Sequence, residues 1–291
     1  MKLLRYGAVG MEQPGLLDDK GRIRALSPVI DDLAADSLSP TKLREIGKLS
    51  VDKLPIVPGT PRLGTPYRGV GKFVAVGLNY SDHAAESGLA VPAEPVIFFK
   101  ATSCIVGPND DIMLPKDSVK TDWEVELGVV IGRTSRYVSE QEALDYVAGY
   151  CVVNDVSERA YQLERAGTWD KGKGCDTFGP FGPYLVTPDE VGDPQALDMW
   201  LDVNGKRMQT GNTRTMIFPV RTLVSYISQF MTLNPGDLIT TGTPPGVGMG
   251  RKPAPEYLKA GDMVELGISK LGTQRQSVVA WSRQVDFGRV A

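Results

Sequence analysis

The chain has 291 residues, 42% of them hydrophobic and 23% charged, with a net charge of −3. That is globular composition: it excludes a mainly disordered chain and leaves no basic field for a nucleic-acid backbone. The 32 glycines and 21 prolines favour many turns and short strands over long helices.

Three cysteines, Cys104, Cys151 and Cys175, lack paired spacing, so neither a disulfide framework nor a zinc site is expected, and a reducing cytoplasm is the default. No apolar run is long enough to span a bilayer, and the start at Met1–Gly7 breaks before a signal-peptide core forms. His83 is the single histidine, which excludes a multi-histidine metal site within one chain.

In chain order, residues 1–70 read as a small N-terminal domain. The polar turn Asp18-Asp19-Lys20-Gly21 lies between short apolar stretches and predicts a hairpin. Ser39-Pro40 opens a short helix through Leu43, Ile46 and Leu49. Pro55, Pro58, Pro61 and Pro66 then mark an extended connector. From residue 71 to 291 the pattern predicts one β-rich α+β domain. Its strands are expected at Phe73–Val76, Val96–Phe99, Val125–Ile131, the apolar run Tyr146–Val153, Asp237–Thr241 and Met263–Ile268. The capping box Ser139–Glu142 predicts a helix running to about Ala148, and Pro219 opens another through Phe230.

The stretch Asp122-Trp-Glu-Val-Glu126-Leu carries two carboxylates two residues apart. On a strand they share a face, roughly 7 Å apart. They either face water or hold a hard cation between them. Asp155 ends the next apolar run and is a third candidate oxygen ligand. Three carboxylates without histidine or cysteine partners suit Mg²⁺ or Mn²⁺ better than Ca²⁺ in a chain with no EF-hand loop.

His83 and Glu86 stand three residues apart on a short predicted helix and share a face. They can form a water-activating pair or a surface contact. Arg159 and Gln162 follow Asp155 at helical spacing. Lys171 and Lys173 lie on a glycine-rich loop, where a lysine can stabilise an oxyanion or simply be solvated. The segment Thr240–Gly248 follows a strand, and its amides and the Thr243 hydroxyl can hold a carboxylate.

Taken in order, these motifs resemble the fumarylacetoacetate hydrolase family over roughly residues 70–270. They are Gly77–His83 with Glu86, Glu124-Val-Glu126, Asn154–Arg159 with Gln162, Lys173, and Thr241-Gly-Thr-Pro244. The resemblance implies a mixed β-roll or sandwich and Mg²⁺, with Mn²⁺ as the other candidate, held by Glu124, Glu126 and Asp155. It implies His83 and Glu86 as the pair that activates water, and Lys173 as a catalytic cation. Arg159, Gln162 and Thr243 correspond to substrate-binding positions. The family's usual Lys-Ser-Phe reads Lys173-Gly-Cys here, so Lys171 and Lys173 both stand as candidates.

The implied reaction is metal-dependent hydrolysis of a C–C bond in an acylpyruvate-type 2,4-diketo acid. The likeness is greatest to members acting on 2,4-diketo-3-deoxy sugar acids of the fuconate or rhamnonate type, giving pyruvate and lactate. A 2-oxo acid decarboxylase acting on oxaloacetate, or a ureidoglycolate lyase, is the alternative on the same metal site. The expected partners are a small 2-oxo or 2,4-diketo acid and a second copy of the chain, as a homodimer or higher homo-oligomer. Neither nucleic acid nor membrane is expected.

Overall fold

The computed structural model describes residues 1–82 and 91–283. Seventeen strands are described. In the first part of the chain they are β1 (Lys2–Tyr6), β2 (Gln13–Leu17), β3 (Ile23–Ala25), β4 (Phe73–Gly77), β5 (Val96–Lys100), β6 (Ile105–Val106), β7 (Ile112–Met113) and β8 (Thr121–Asp122). Then come β9 (Val125–Ile131), β10 (Val147–Asn154), β11 (Ser157–Glu158), β12 (Gly179–Val186), β13 (Asp198–Val203) and β14 (Lys206–Asn212). The last three are β15 (Leu238–Thr240), β16 (Met263–Ile268) and β17 (Gly272–Val279).

A ten-stranded mixed sheet has the order β3-β2-β1-β12-β10-β9-β15-β4-β5, with β6 beside β12. A five-stranded sheet has the order β14-β13-β16-β17-β7. β9 lies against β13 and β16, and β10 and β12 lie against β17, so the main apolar core fills the space between the sheets. This is the β-rich α+β architecture expected from the glycine and proline content.

β9 (Val-Glu-Leu-Gly-Val-Val-Ile) is buried at every residue, as is β10. Strands covered on both faces read as continuous apolar runs rather than as an alternation. β9 pairs antiparallel with β10, with Val125 opposite Asn154 and Glu126 opposite Val153. That register brings the two ends of interest together, because Asp155 follows β10 directly.

The Asp18–Gly21 turn joins β2 to β3, and β1 pairs with β12, so residues 2–6 extend the large sheet. The helix Pro40–Gly47 starts where expected, with the Ser39 hydroxyl accepting from the Lys42 N–H. The helix Val220–Phe230 buries Val220, Leu223, Val224 and Ile227.

The helix expected to reach Ala148 does not form. Only a single turn of 3₁₀ helix, Ala143–Tyr146, precedes β10. The Ser139 hydroxyl bonds the Glu142 side chain at 2.6 Å, and Val147 pairs with Ile131 in the sheet. Sheet pairing of an apolar, partly β-branched run outweighs the local capping signal. The β13–β14 hairpin and β17 were not foreseen. The hairpin does carry a local signal, Asn204-Gly205, with both residues at positive φ.

Candidate metal centre

Glu124, Glu126 and Asp155 each offer an oxygen, and these oxygens lie within 4.8 Å of one another. The side chains are buried, with Glu124 7%, Glu126 2% and Asp155 1% exposed. The reading of Glu124 and Glu126 as a water-facing acidic edge is therefore corrected. Cations contributed by short segments from elsewhere in the chain cover Glu124 and Asp155, and the Gly242 N–H meets Glu126.

The backbone sets the spacing of the acids. The Asp155 N–H donates to the Glu124 carbonyl at 2.9 Å, continuing the β9–β10 ladder one step past its end. The Asn154 side chain accepts from the Glu124 N–H at 3.2 Å and donates to Gln276 of β17. Glu124 is thus fixed to both sheets.

Two short helices bring in cations. The helix Arg159–Leu163 begins four residues past Asp155, with the Glu158 carboxylate capping the Ala160 N–H. Arg159 donates to Glu124 Oε1 at 2.6 Å, to Asp122 Oδ2 at 2.8 Å and to Gln162 Oε1 at 2.9 Å. The last bond turns the Gln162 amide so that its NH₂ faces away from the guanidinium, as a donor. The second helix, Asp170–Lys173, stands where a loop was expected. It packs closely on the first because residue 172 is glycine: a Cβ there would lie 2.4 Å from the Glu158 carbonyl oxygen and 2.6 Å from the Gln162 backbone nitrogen. This contact delivers Lys173, whose ammonium bridges Glu124 Oε2 at 2.6 Å and Asp155 Oδ2 at 2.7 Å. Lys171, the other candidate lysine, donates instead to the Arg165 carbonyl in an exposed position.

Two contributors were missed by sequence reasoning. Lys100, at the end of β5, donates to Asp155 Oδ1 at 2.6 Å and has no exposed side-chain surface. A lysine closing the apolar run Val96–Phe99 was its only signal. Asp122 is fully buried and accepts from Arg159, from the Trp123 N–H, and from the Gly248 and Met249 N–H groups at 2.6 and 2.9 Å. It ties the loop after β15 to Arg159, and its signal was adjacency to Glu124.

Thr243 is buried, and its hydroxyl donates to the Val125 carbonyl at 2.9 Å while accepting from Gln209 at 2.8 Å. A substrate carboxylate would have to draw that proton away from Val125. His83 and Glu86 lie outside the described residues. The approach to them is anchored, because the buried Asn79 side chain donates to the Thr241 carbonyl at 2.8 Å and accepts from the Phe218 N–H at 2.8 Å.

The charges explain the electrostatics. Asp122, Glu124, Glu126 and Asp155 face Lys100, Arg159 and Lys173, four acids against three cations. Burial raises the Glu124 carboxyl, but Lys173 and Arg159 outweigh it and hold it at about 2. Burial also opposes the charge on Lys173, and Asp155 and Glu124 overcome it, so its ammonium is held above the usual lysine value. Glu126 has the opposite fate. It takes no ion pair among the described residues, only the Gly242 N–H at 2.9 Å. Burial, then repulsion by Asp155 and Glu124, pushes its carboxyl well above the carboxylate range. A buried acid left over after the local cations are counted is what a divalent cation would neutralise. The all-oxygen donor set suits Mg²⁺ or Mn²⁺.

This fold and centre define a class. The chain belongs to the fumarylacetoacetate hydrolase family, whose model, described as fumarylacetoacetate (FAA) hydrolase C-terminal, matches residues 72–279. A Burkholderia multivorans protein, provisionally named a hydrolase with no substrate given, is 65% identical over 276 residues, covering 95% of this chain and 98% of its own length. The structure of a fumarylacetoacetate hydrolase from psychrophilic Exiguobacterium antarcticum superposes with a TM-score of 0.86 at 36% identity, covering 97% of this chain and all (100%) of that one. The maleylpyruvate hydrolase of Sphingobium sp. SYK-6, solved in complex with a manganese(II) ion and pyruvate, superposes with a TM-score of 0.80 at 28% identity, covering 97% of this chain and 100% of that one. No helix among the described residues is long and apolar enough to cross a membrane.

Proposed function

We propose that the protein hydrolyses a C–C bond of an acylpyruvate-type 2,4-diketo acid, with a 2,4-diketo-3-deoxy sugar acid of the fuconate or rhamnonate type as substrate. Water adds to the C4 carbonyl, the C3–C4 bond breaks, and pyruvate leaves with one carboxylic acid, which is lactate for the deoxy sugar acid. The observation that carries this reading is the buried triad Glu124, Glu126 and Asp155 with Lys173 bridging two of its members.

Glu124, Glu126 and Asp155 are the proposed ligands of Mg²⁺ or Mn²⁺. When bound, the ion supplies Lewis-acid polarisation and offsets negative charge developing on the pyruvate portion. Lys173 and the Gln162 NH₂ are the proposed donors to the oxyanion formed at C4. Arg159 holds Gln162 and Glu124 in place for that task. His83, oriented by Glu86, is the proposed base that takes a proton from water. Thr243 is the proposed contact to the substrate carboxylate. Residues 1–70 are proposed as a small N-terminal unit and 71–291 as the catalytic domain, working in the cytoplasm as a homodimer or larger homo-oligomer.

The test is a panel of acylpyruvates, including a 2,4-diketo-3-deoxy sugar acid, assayed with Mg²⁺ and with EDTA. Pyruvate and the matching acid should appear in equal amounts, and EDTA should abolish both. Loss of CO₂ from oxaloacetate with no cleavage of any acylpyruvate would replace hydrolysis by decarboxylation on the same centre. A product of unchanged mass would replace it by isomerisation.

A further inference from the structure

Lys173 takes one oxygen each of Glu124 and Asp155, and each carboxylate of the triad has one oxygen on a further donor. Glu124 Oε1 accepts from Arg159 at 2.6 Å, Glu126 Oε2 from the Gly242 N–H at 2.9 Å, and Asp155 Oδ1 from Lys100 at 2.6 Å. The Lys100 contact is the most constrained of the three. An ammonium has three protons. The Lys100 ammonium has three acceptors: Asp155 Oδ1, the Val156 carbonyl at 3.3 Å and the Lys173 carbonyl. Its side chain is sealed from solvent, and the Phe73 ring lies 5.9 Å from the ammonium. Every donor is therefore committed, and two of the three acceptors are backbone groups. The other Asp155 oxygen, Oδ2, lies on the Glu124 side, where it shares the Lys173 ammonium with Glu124 Oε2.

We propose that Lys100 determines the metal preference of this centre by holding Asp155 Oδ1 out of the coordination sphere, so that Asp155 ligates through Oδ2 alone. The inference rests on the metal-centre reading above and goes beyond it by giving a function to a residue that touches neither substrate nor ion. Mg²⁺ demands near-octahedral geometry and takes carboxylates through single oxygens. Ca²⁺ is larger, accepts six to eight oxygens and readily takes a carboxylate through both. A centre with one oxygen of each acid withheld is short of ligands for Ca²⁺. It still leaves positions open for water or a chelating 2-oxo acid around a smaller ion. Lys100 is a positioning residue in this scheme.

The test compares Mg²⁺ and Ca²⁺ dissociation constants of the full-length protein by calorimetry. Removing the positive charge of Lys100 strengthens binding of both divalent ions together, so the ratio of the two constants, not either alone, reports denticity. In Lys100→Met the ratio should move toward Ca²⁺ by about tenfold, in the range seen when groups that orient ligands are altered. Lys100→Gln keeps an N–H for Asp155 Oδ1 and should leave the ratio near that of the wild type. A folded Lys100→Met protein whose ratio is unchanged would overturn the proposal.

The unmutated protein gives a second readout should the variants fail to fold. With aspartate carboxyls ¹³C-labelled, Mg²⁺ should induce the wide antisymmetric–symmetric stretching separation of a one-oxygen ligand. The narrow separation of a two-oxygen ligand would overturn the inference while leaving the metal centre intact. Binding of neither Mg²⁺, Mn²⁺ nor Ca²⁺ by the wild type would instead overturn the metal centre itself.

Discussion

Glu124 and Asp155 are joined through the backbone, by the Asp155 N–H on the Glu124 carbonyl at 2.9 Å, and again through the Lys173 ammonium that bridges their side chains. The first link comes from sheet register and the second from the packing of two short helices. The centre depends on both, and the consequences can be measured.

Lys173→Gln removes the bridge and a proposed oxyanion donor together. Turnover on the best acylpyruvate should fall by about 10²–10³-fold, the usual cost of one such donor. The loss should appear in kcat more than in KM. Lys171→Gln, altering an exposed residue that caps a carbonyl, should leave kcat within about twofold of wild type. Equal losses in the two variants would reassign the lysine.

Glu126→Gln should separate stability from function. In the metal-free protein Glu126 is a buried acid with no ion pair among the described residues, its carboxyl raised by burial and then by Asp155 and Glu124. A neutral amide of the same shape is buried without having to take up a proton, so at neutral pH and without metal the variant should be more stable by about 1 kcal/mol in urea. Mn²⁺ affinity, followed by electron paramagnetic resonance, should fall at least about tenfold. A variant destabilised in the absence of metal would show that Glu126 is compensated by more than the Gly242 N–H.

Gly172→Ala tests the delivery of Lys173. The added methyl cannot fit against the Glu158 carbonyl and Gln162 without separating the two helices. Overpacking of this kind costs about 1–3 kcal/mol. Thermal denaturation should show that loss, and kcat should fall with it, because Lys173 and Gln162 move apart. Wild-type kcat in a destabilised variant would show that the contact matters for stability alone.

Thiol reactivity gives a pH test near the centre. Cys104 and Cys151 are buried, while Cys175 is partly exposed. Burial pushes the Cys175 thiol up to about 11, with Lys100 opposing the shift only in part. The thiolate is the reactive form. At pH 8 almost all of Cys175 is protonated, so iodoacetamide should react slowly. The rate should rise about tenfold per pH unit up to pH 10, as it does for any thiol titrating above that range. A rate that levels off near pH 8.5 would mean an ordinary, solvated thiol.

Much of the candidate centre was legible in the sequence. The Glu-x-Glu pair, Asp155 and the helical spacing of Arg159 and Gln162 are local patterns, and local patterns survive in one dimension. Lys100 and Asp122 were missed because what identifies them is a partner far away in the chain. The helix expected to reach Ala148 failed for the same reason: its capping box was visible, but the competing partner of Val147, Ile131 on β9, was not.

By itself the sequence determined a β-rich mixed fold, several of its strands, the helices Pro40–Gly47 and Val220–Phe230, and the carboxylates that are candidate oxygen ligands. Each of these follows from residue type and periodicity, which are properties of neighbours along the chain. Only the tertiary structure decided that Glu124 and Glu126 are buried rather than wet, that Lys173 rather than Lys171 bridges Glu124 and Asp155, and that Lys100 holds one oxygen of Asp155. Those outcomes depend on which segments cover a strand once two sheets and two short helices have packed. Burial and charge pairing then set whether the same carboxylate is an ordinary surface acid or part of a candidate metal centre.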